Sequence, residues 1–247
     1  MNTTKQDMQS IAIPGASNFR FSAVRPDDLG ASEYTLVTIV VDESTSINGF
    51  EKELKDCVKA IIAAAAQSPR ADNLLVRMVT FNHDLKEIFG FKNLGQIDIN
   101  DLDDFSAGGS TALYDASDEA LGATEQYASL LYDQDFDVNA AVYIITDGDD
   151  NSSRSAYPTA IADRLKSIRR NEKLESIVTL LIGINTEEQA ISDILEKYSK
   201  TACFDEYIDA GDATEANLVK LAGYVSKSIS SQSQALGSGS ASGALSF

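Results

Sequence analysis

The sequence predicts a three-layer α/β domain, with a mostly parallel sheet between two layers of helices. Four short runs rich in Val and Ile, Leu36 to Val41, Leu74 to Phe81, Ala140 to Ile145 and Ile177 to Ile184, are nearly continuous rather than alternating. Strands covered on both faces have that pattern. Segments with apolar residues at helical spacing lie between them, and strands alternating with such segments indicate βαβ crossovers and parallel pairing.

The elements follow in chain order. After the first strand, Phe50, Leu54, Cys57, Val58, Ile61 and Ile62 recur at helical spacing, and Pro69 closes the segment. Leu85 to Phe91 follows the second strand too closely for a crossover. It is expected as an antiparallel edge strand, reached by a hairpin through Asn82-His83-Asp84. Thr111 to Tyr132 is the next helix, carried by Leu113, Ala116, Ala120, Leu121, Ala128 and Leu131. Ala160 to Ile168, Glu187 to Tyr198 and Ala216 to Ile229 are further helices, and Phe204 to Ile208 is a candidate last strand.

The organisation expected is one domain over residues 33–229, within normal domain size. Residues 1–32 form an N-terminal arm in which Phe19, Phe21 and Val24 can pack against the domain. From Ser226 the chain becomes rich in Ser, Gly and Ala, with Lys227 its last charged residue, so residues 230–247 are expected as a flexible tail. The apolar end, Ala244-Leu245-Ser246-Phe247, is read as frayed.

Composition narrows the function. With 43% apolar and 23% charged residues among 247, the chain is globular with one sizeable core. A formal charge of −18, with no Lys/Arg stripe to offset it, excludes nucleic acid as a natural partner. The same field favours cations. No apolar run is long enough to span a bilayer. Met1 to Gln9 is polar and lacks an apolar signal core, so a cytoplasmic location is expected. Cys57 and Cys203, without metal-like spacing, fit two reduced thiols. Asn151-Ser152-Ser153 matches the glycosylation pattern, which has no meaning without secretion.

Chemistry concentrates at the carboxyl ends of the predicted strands, where open α/β sheets bind ligands. The first strand ends in Val41-Asp42-Glu43-Ser44-Thr45-Ser46, which offers a carboxylate and two hydroxyls at alternate positions. Gly108-Gly109-Ser110-Thr111 precedes a helix, and Thr146-Asp147-Gly148 follows another buried strand. These three loops supply oxygen and neither sulfur nor imidazole. That donor set suits a hard cation such as Mg²⁺, with Mn²⁺ or Ca²⁺ as alternatives, and disfavours zinc. The lone histidine, His83, falls on the hairpin and is a poor ligand candidate.

These residues carry a family resemblance. Asp42-x-Ser44-x-Ser46, Thr111 after a glycine turn, and Asp147 after a central strand resemble the metal ion-dependent adhesion site of von Willebrand factor type A domains. The resemblance spans about residues 34–230 and is closest to the stand-alone intracellular members found in bacteria and phages. It implies a Rossmann-like doubly wound sheet of order 3-2-1-4-5-6, with the third strand antiparallel at an edge. It also implies that Ser44, Ser46 and Thr111 bind the metal directly, while Asp42 and Asp147 act through waters. Ser110 is an alternative to Thr111 if the turn is one residue longer.

The function implied is non-enzymatic: a metal-dependent module that binds an Asp or Glu of a partner protein. Intracellular relatives of this kind are associated with ATPase-, kinase- or stress-response assemblies. Two alternatives remain. One is a metal-independent scaffold or oligomerising subunit that uses the arm or the tail. The other is a metal-dependent phosphohydrolase, against which Ser44 stands where a second catalytic Asp is needed. The acidic cluster Asp98, Asp101, Asp103 and Asp104, and the rim residues Asp149, Asp150, Asn151 and Arg154, are candidates for shaping partner choice.

Overall fold

The computed structural model describes residues 7–13, 19–103, 106–186, 189–239, 245 and 247. Its centre is an eight-stranded sheet, built from β1 (Met8–Ala12), β2 (Arg20–Val24), β3 (Glu33–Asp42), β4 (Leu74–Phe81), β5 (Leu85–Asn93), β6 (Asp137–Thr146), β7 (Ser176–Gly183) and β8 (Glu206–Asp209). The spatial order is β1-β2-β5-β4-β3-β6-β7-β8. From β5 to β8 this is the expected 3-2-1-4-5-6 order. β3 pairs in parallel with β4 and with β6, which places it at the centre.

Among the described residues, five α-helices cover the sheet: α1 (Glu51–Ala65), α2 (Leu113–Tyr132), α3 (Pro158–Arg170), α4 (Gln189–Ala202) and α5 (Glu215–Ser238). The side chains of β3 alternate between two cores. Val37, Ile39 and Val41 face a cluster with Leu54, Val58 and Ile61 of α1 and Leu221 and Val225 of α5. Leu36 and Val40 face a cluster with Leu113, Ala120 and Leu121 of α2. Burial on both faces explains why the central strands lack alternation. No helix among the described residues is long and apolar enough to cross a membrane.

Three expectations need correction. The first concerns the sheet edge. β5 is antiparallel to β4 as expected, but it is not an edge strand, because β2 pairs with it in parallel at Ala23↔Phe91. The arm is therefore part of the sheet. Phe21 drives this by packing edge-to-face on Phe91 at 6.0 Å and on Tyr127 at 6.4 Å, and Tyr127 Oη donates to Val24 O at 2.8 Å. Gly90 permits the approach, since a Cβ there would lie 2.0 Å from Ser22 O.

The second correction is the tail. α5 continues through the Ser-rich stretch to Ser238 and ends at Gly239, whose φ of 63° is left-handed. Ser226, Ser228, Gln232 and Ser233 are buried. The side chains of Ser228 and Ser233 and the main-chain carbonyl of Gln232 meet polar groups beneath the helix. Tyr143 Oη donates to Ser228 Oγ at 2.9 Å, Asn139 Nδ2 to Gln232 O at 2.7 Å, and Arg70 Nε to Ser233 Oγ at 3.1 Å. What composition presents as a linker is a helix face fitted to a polar patch.

The third correction is the apolar end. Leu245 and Phe247 pack against the α1/α5 core. Tyr224 Oη donates to Leu245 O at 2.6 Å, and the Phe247 ring meets Tyr224 edge-to-face at 5.2 Å. Asp104, Glu187, Ala244 and Ser246 lie outside the described residues. Cys57 is buried, Cys203 is half-buried, and both are free thiols.

Candidate metal centre

The three oxygen-bearing loops meet at one end of the sheet because β3 and β6 are adjacent parallel strands. Asp42 ends β3 and is fully buried. Its Oδ1 accepts Ser44 N at 2.8 Å, a local turn that sets the loop's direction. Its Oδ2 accepts Thr146 Oγ1 from the end of β6 at 2.6 Å. Ser44 Oγ and Ser46 Oγ are 2.9 Å apart, and Ser46 Oγ donates to Asp147 Oδ1 at 2.7 Å. Since Ser46 gives its proton to Asp147, Ser44 donates to Ser46.

Thr111 arrives from the other side. Its backbone N–H donates to Asn151 Oδ1 at 2.8 Å, and its carbonyl accepts Asn151 N and Ser152 N at 2.9 and 3.1 Å. Its hydroxyl has no hydrogen-bond partner among the described residues. A Cβ placed on Gly148 would lie 4.0 Å from Thr111 Oγ1, so that hydroxyl sits beside the Asp147-Gly148 turn. Thr111 is buried whereas Ser110 is exposed, which puts Thr111 rather than its neighbour in the cluster.

The glycine turn is tied to the first loop. Gly108 N donates to Glu43 O at 2.8 Å, and Gly109 O accepts both Thr45 N at 3.0 Å and Thr45 Oγ1 at 2.9 Å. Gly109 adopts a left-handed φ of 85°, and a Cβ there would lie 2.4 Å from His83 Nδ1. His83 therefore walls the turn from the exposed β4–β5 hairpin.

Burial pushes the Asp42 carboxyl up to about 6, against the lowering effect of the Thr146 and Ser44 hydrogen bonds; the nearby Asp147 charge adds to the rise. Asp147 is also raised, again chiefly by burial, with the Ser46 hydrogen bond opposing. Two desolvated carboxylates near one another, with no cationic side chain among their partners, form a site that a bound cation would relieve. Among the described residues no three His, Cys, Asp or Glu side chains gather to hold a metal. The donor set is two carboxylates and three hydroxyls, which fits an oxygen-preferring divalent ion.

The sequence marks Thr146 as part of the loop and Asn151 as a rim residue, but not the positioning role of either. Thr146 fixes Asp42, and Asn151 fixes Thr111. The first stands directly before Asp147, but only the pairing of β3 with β6 shows what it touches. Asp150 caps Tyr114 N at 3.2 Å. In the acidic cluster, Asp101 and Asp103 pair with Lys92 and Lys59, and Asp98 accepts Asn100 N within its own turn.

The von Willebrand factor type A domain model matches residues 37–222. The chain belongs to this family. A search of curated protein sequences finds no match. Among solved structures, the type A domain is similar to proximal thread matrix protein 1 of the mussel byssus. That likeness has 22% identity and a TM-score of 0.55, and covers 81% of this chain and 47% of that one. A further structure of the mussel protein, at 21% identity and TM-score 0.54 over 81% of this chain and 46% of that one, has a zinc-occupied adhesion-site motif. The D319A mutant of the minor pilin PilB of Streptococcus sanguinis matches at 16% identity and TM-score 0.58, over 89% of this chain and 66% of that one. The chain thus spans about half the length of the mussel protein.

Proposed function

We propose that this chain is a non-enzymatic adaptor that binds a partner protein through a divalent cation held by Asp42, Ser44, Ser46, Thr111 and Asp147. The observation that carries this reading is the hydrogen-bonded series Thr146–Asp42–Ser44–Ser46–Asp147, buried at Asp42 and opening to solvent at Ser46, which gathers two raised carboxylates beside the Thr111 hydroxyl, a group with no partner among the described residues. Ser44, Ser46 and Thr111 are the direct ligands, and Asp42 and Asp147 act through waters. Hydroxyls neutralise little charge, so a cation bound there supplies an electrophilic position for a partner's Asp or Glu. Mg²⁺ is the first candidate, with Mn²⁺, Ca²⁺ and, given the mussel protein, Zn²⁺ as alternatives. The two free thiols favour a reducing, cytoplasmic setting. There the module would bring a partner into a larger assembly, such as one containing an ATPase or kinase.

The test is calorimetric titration of Mg²⁺ and Mn²⁺ into metal-stripped protein, with and without a short Asp-containing peptide. One saturable site per chain, absent in Asp42→Ala/Ser44→Ala, supports the reading. Absence of binding with the peptide present refutes it, and assembly that survives chelation would then favour the scaffold alternative.

A further inference from the structure

Residues 150–156 of the loop after β6 are anchored to α2 and to the turn just before it. Asn151 Oδ1 accepts Thr111 N at 2.8 Å, Asp150 Oδ1 accepts Tyr114 N at 3.2 Å, and Ser153 Oγ accepts Asp115 N at 3.0 Å. In the opposite direction, the Asp115 carboxylate accepts Arg154 N, Ser155 N and Ala156 N at 2.8, 3.0 and 2.7 Å. Asp115 lies one helical turn beyond Thr111, so residues 150–156 are fixed beside the candidate metal centre.

This anchoring uses the polar side chains of Asp150, Asn151 and Ser153, while Asp149 accepts Asp150 N at 2.7 Å. Of the exposed residues that follow, Arg154, Ser155 and Tyr157, the two with large side chains are Arg154 and Tyr157. Arg154 is exposed and its guanidinium has no partner among the described residues. Tyr157 is 59% exposed and lines a groove with Asp118, Glu125, Ser155, Ala160 and Arg164. Arg164 is already paired with Asp118 and Glu125.

Charge singles out Arg154. The segments around the centre, residues 43–49, 82–84, 107–111 and 147–157, carry Glu43, Asp84, Asp147, Asp149 and Asp150 but one arginine and no lysine. Arginine and tyrosine are the residue types in which interface binding energy concentrates. A backbone fixed beforehand lowers the ordering cost of using them.

We propose that Arg154 and Tyr157 select the partner. Arg154 takes a second carboxylate, and Tyr157 an apolar side chain, next to the acidic residue that reaches the metal centre. The partner is thus an acidic peptide segment with two carboxylates and an apolar residue. This rests on the metal-dependent reading above.

The probe is a displayed library of seven-residue peptides with a fixed central Asp, selected on the full chain in Mg²⁺ and in chelator. The wild-type chain enriches a second acidic residue at one offset and an apolar residue at another. Arg154→Glu converts the acidic preference to Lys or Arg at the same offset, and Tyr157→Ala erases the apolar preference. Each variant binds the wild-type-selected peptide about tenfold more weakly. Because Asp115 holds backbone rather than side chains of this loop, both variants keep its path. An Arg154→Glu profile identical to wild type, with binding still Mg²⁺-dependent, overturns the proposal and leaves the metal reading intact. If the wild-type chain retains no more peptide than Asp42→Ala does, both readings fall.

Discussion

Ser46 donates a hydrogen bond to Asp147 at 2.7 Å although 101 residues separate them in the chain. The contact exists because β3 and β6 lie side by side and in register, Val41 opposite Ile145. It joins two loops that would otherwise vary independently. Ser46→Ala removes the bond and one proposed ligand, and Asp147→Ala removes its acceptor. Each is expected to weaken Mg²⁺ binding at least about tenfold by calorimetry, with a double variant little worse than either single one, since neighbouring residues in one network are not additive.

Asp42 gives a pH dependence whose sign follows from burial. The folded chain holds this proton more tightly than the unfolded chain does. The group's favourable contribution is therefore complete below its ordinary value of 3.8 and is lost as pH rises through about 6. In metal-free protein, Asp42→Asn should be more stable than wild type at pH 7, by on the order of 3 kcal/mol at most, with the gap closing by pH 4. Urea denaturation at both pH values measures it. Mg²⁺ binding should weaken from pH 7 to pH 5, as Asp42 takes up its proton.

Arg77 is buried between two carboxylates, donating to Glu119 through Nη1 and Nη2 at 3.0 and 2.6 Å and to Glu87 through Nε at 2.8 Å. Arg77→Met leaves Glu119 buried and unpaired, a loss of about 3–5 kcal/mol in urea denaturation. Arg77→Met/Glu119→Leu should recover most of that loss. A double variant as unstable as the single one would contradict this account.

Gly90→Val should detach the N-terminal strands, because the new side chain meets Ser22 backbone. The expected result is rapid proteolysis near residues 13–25 and a lower melting temperature. Exposure of β5 as a new edge should also increase self-association, read by sedimentation.

Truncation after Ile229 tests the second half of α5. It removes buried Gln232, Ser233 and Ala235 and leaves Asn139 and Arg70 without their helix partners. A loss of at least about 2 kcal/mol is expected. Phe247→Ala/Leu245→Ala in the full chain measures the share of that loss owed to the apolar end, and the remainder belongs to the second half of α5.

The sequence by itself determined the layered α/β class, the central strands and the five candidate ligands. Each is encoded locally: a run of Val and Ile long enough for one buried strand, or a short polar pattern at its end. Leu74–Phe81 has in the structure the very bounds its apolar run suggests. Tertiary structure alone decided where Ser226–Ser238 and Phe19–Val24 go. A serine reads as solvent-seeking until Tyr143 and Arg70 stand opposite it, and a five-residue strand has no signature until Phe91 and Tyr127 receive Phe21. The same holds within the centre. The motif marks Asp42 and Asp147, but the burial that raises one carboxyl to about 6, and the Thr146 bond that opposes the rise, arise only when β3 and β6 pair. Local pattern sets what a segment can form; the groups brought against it from distant parts of the chain set what it becomes.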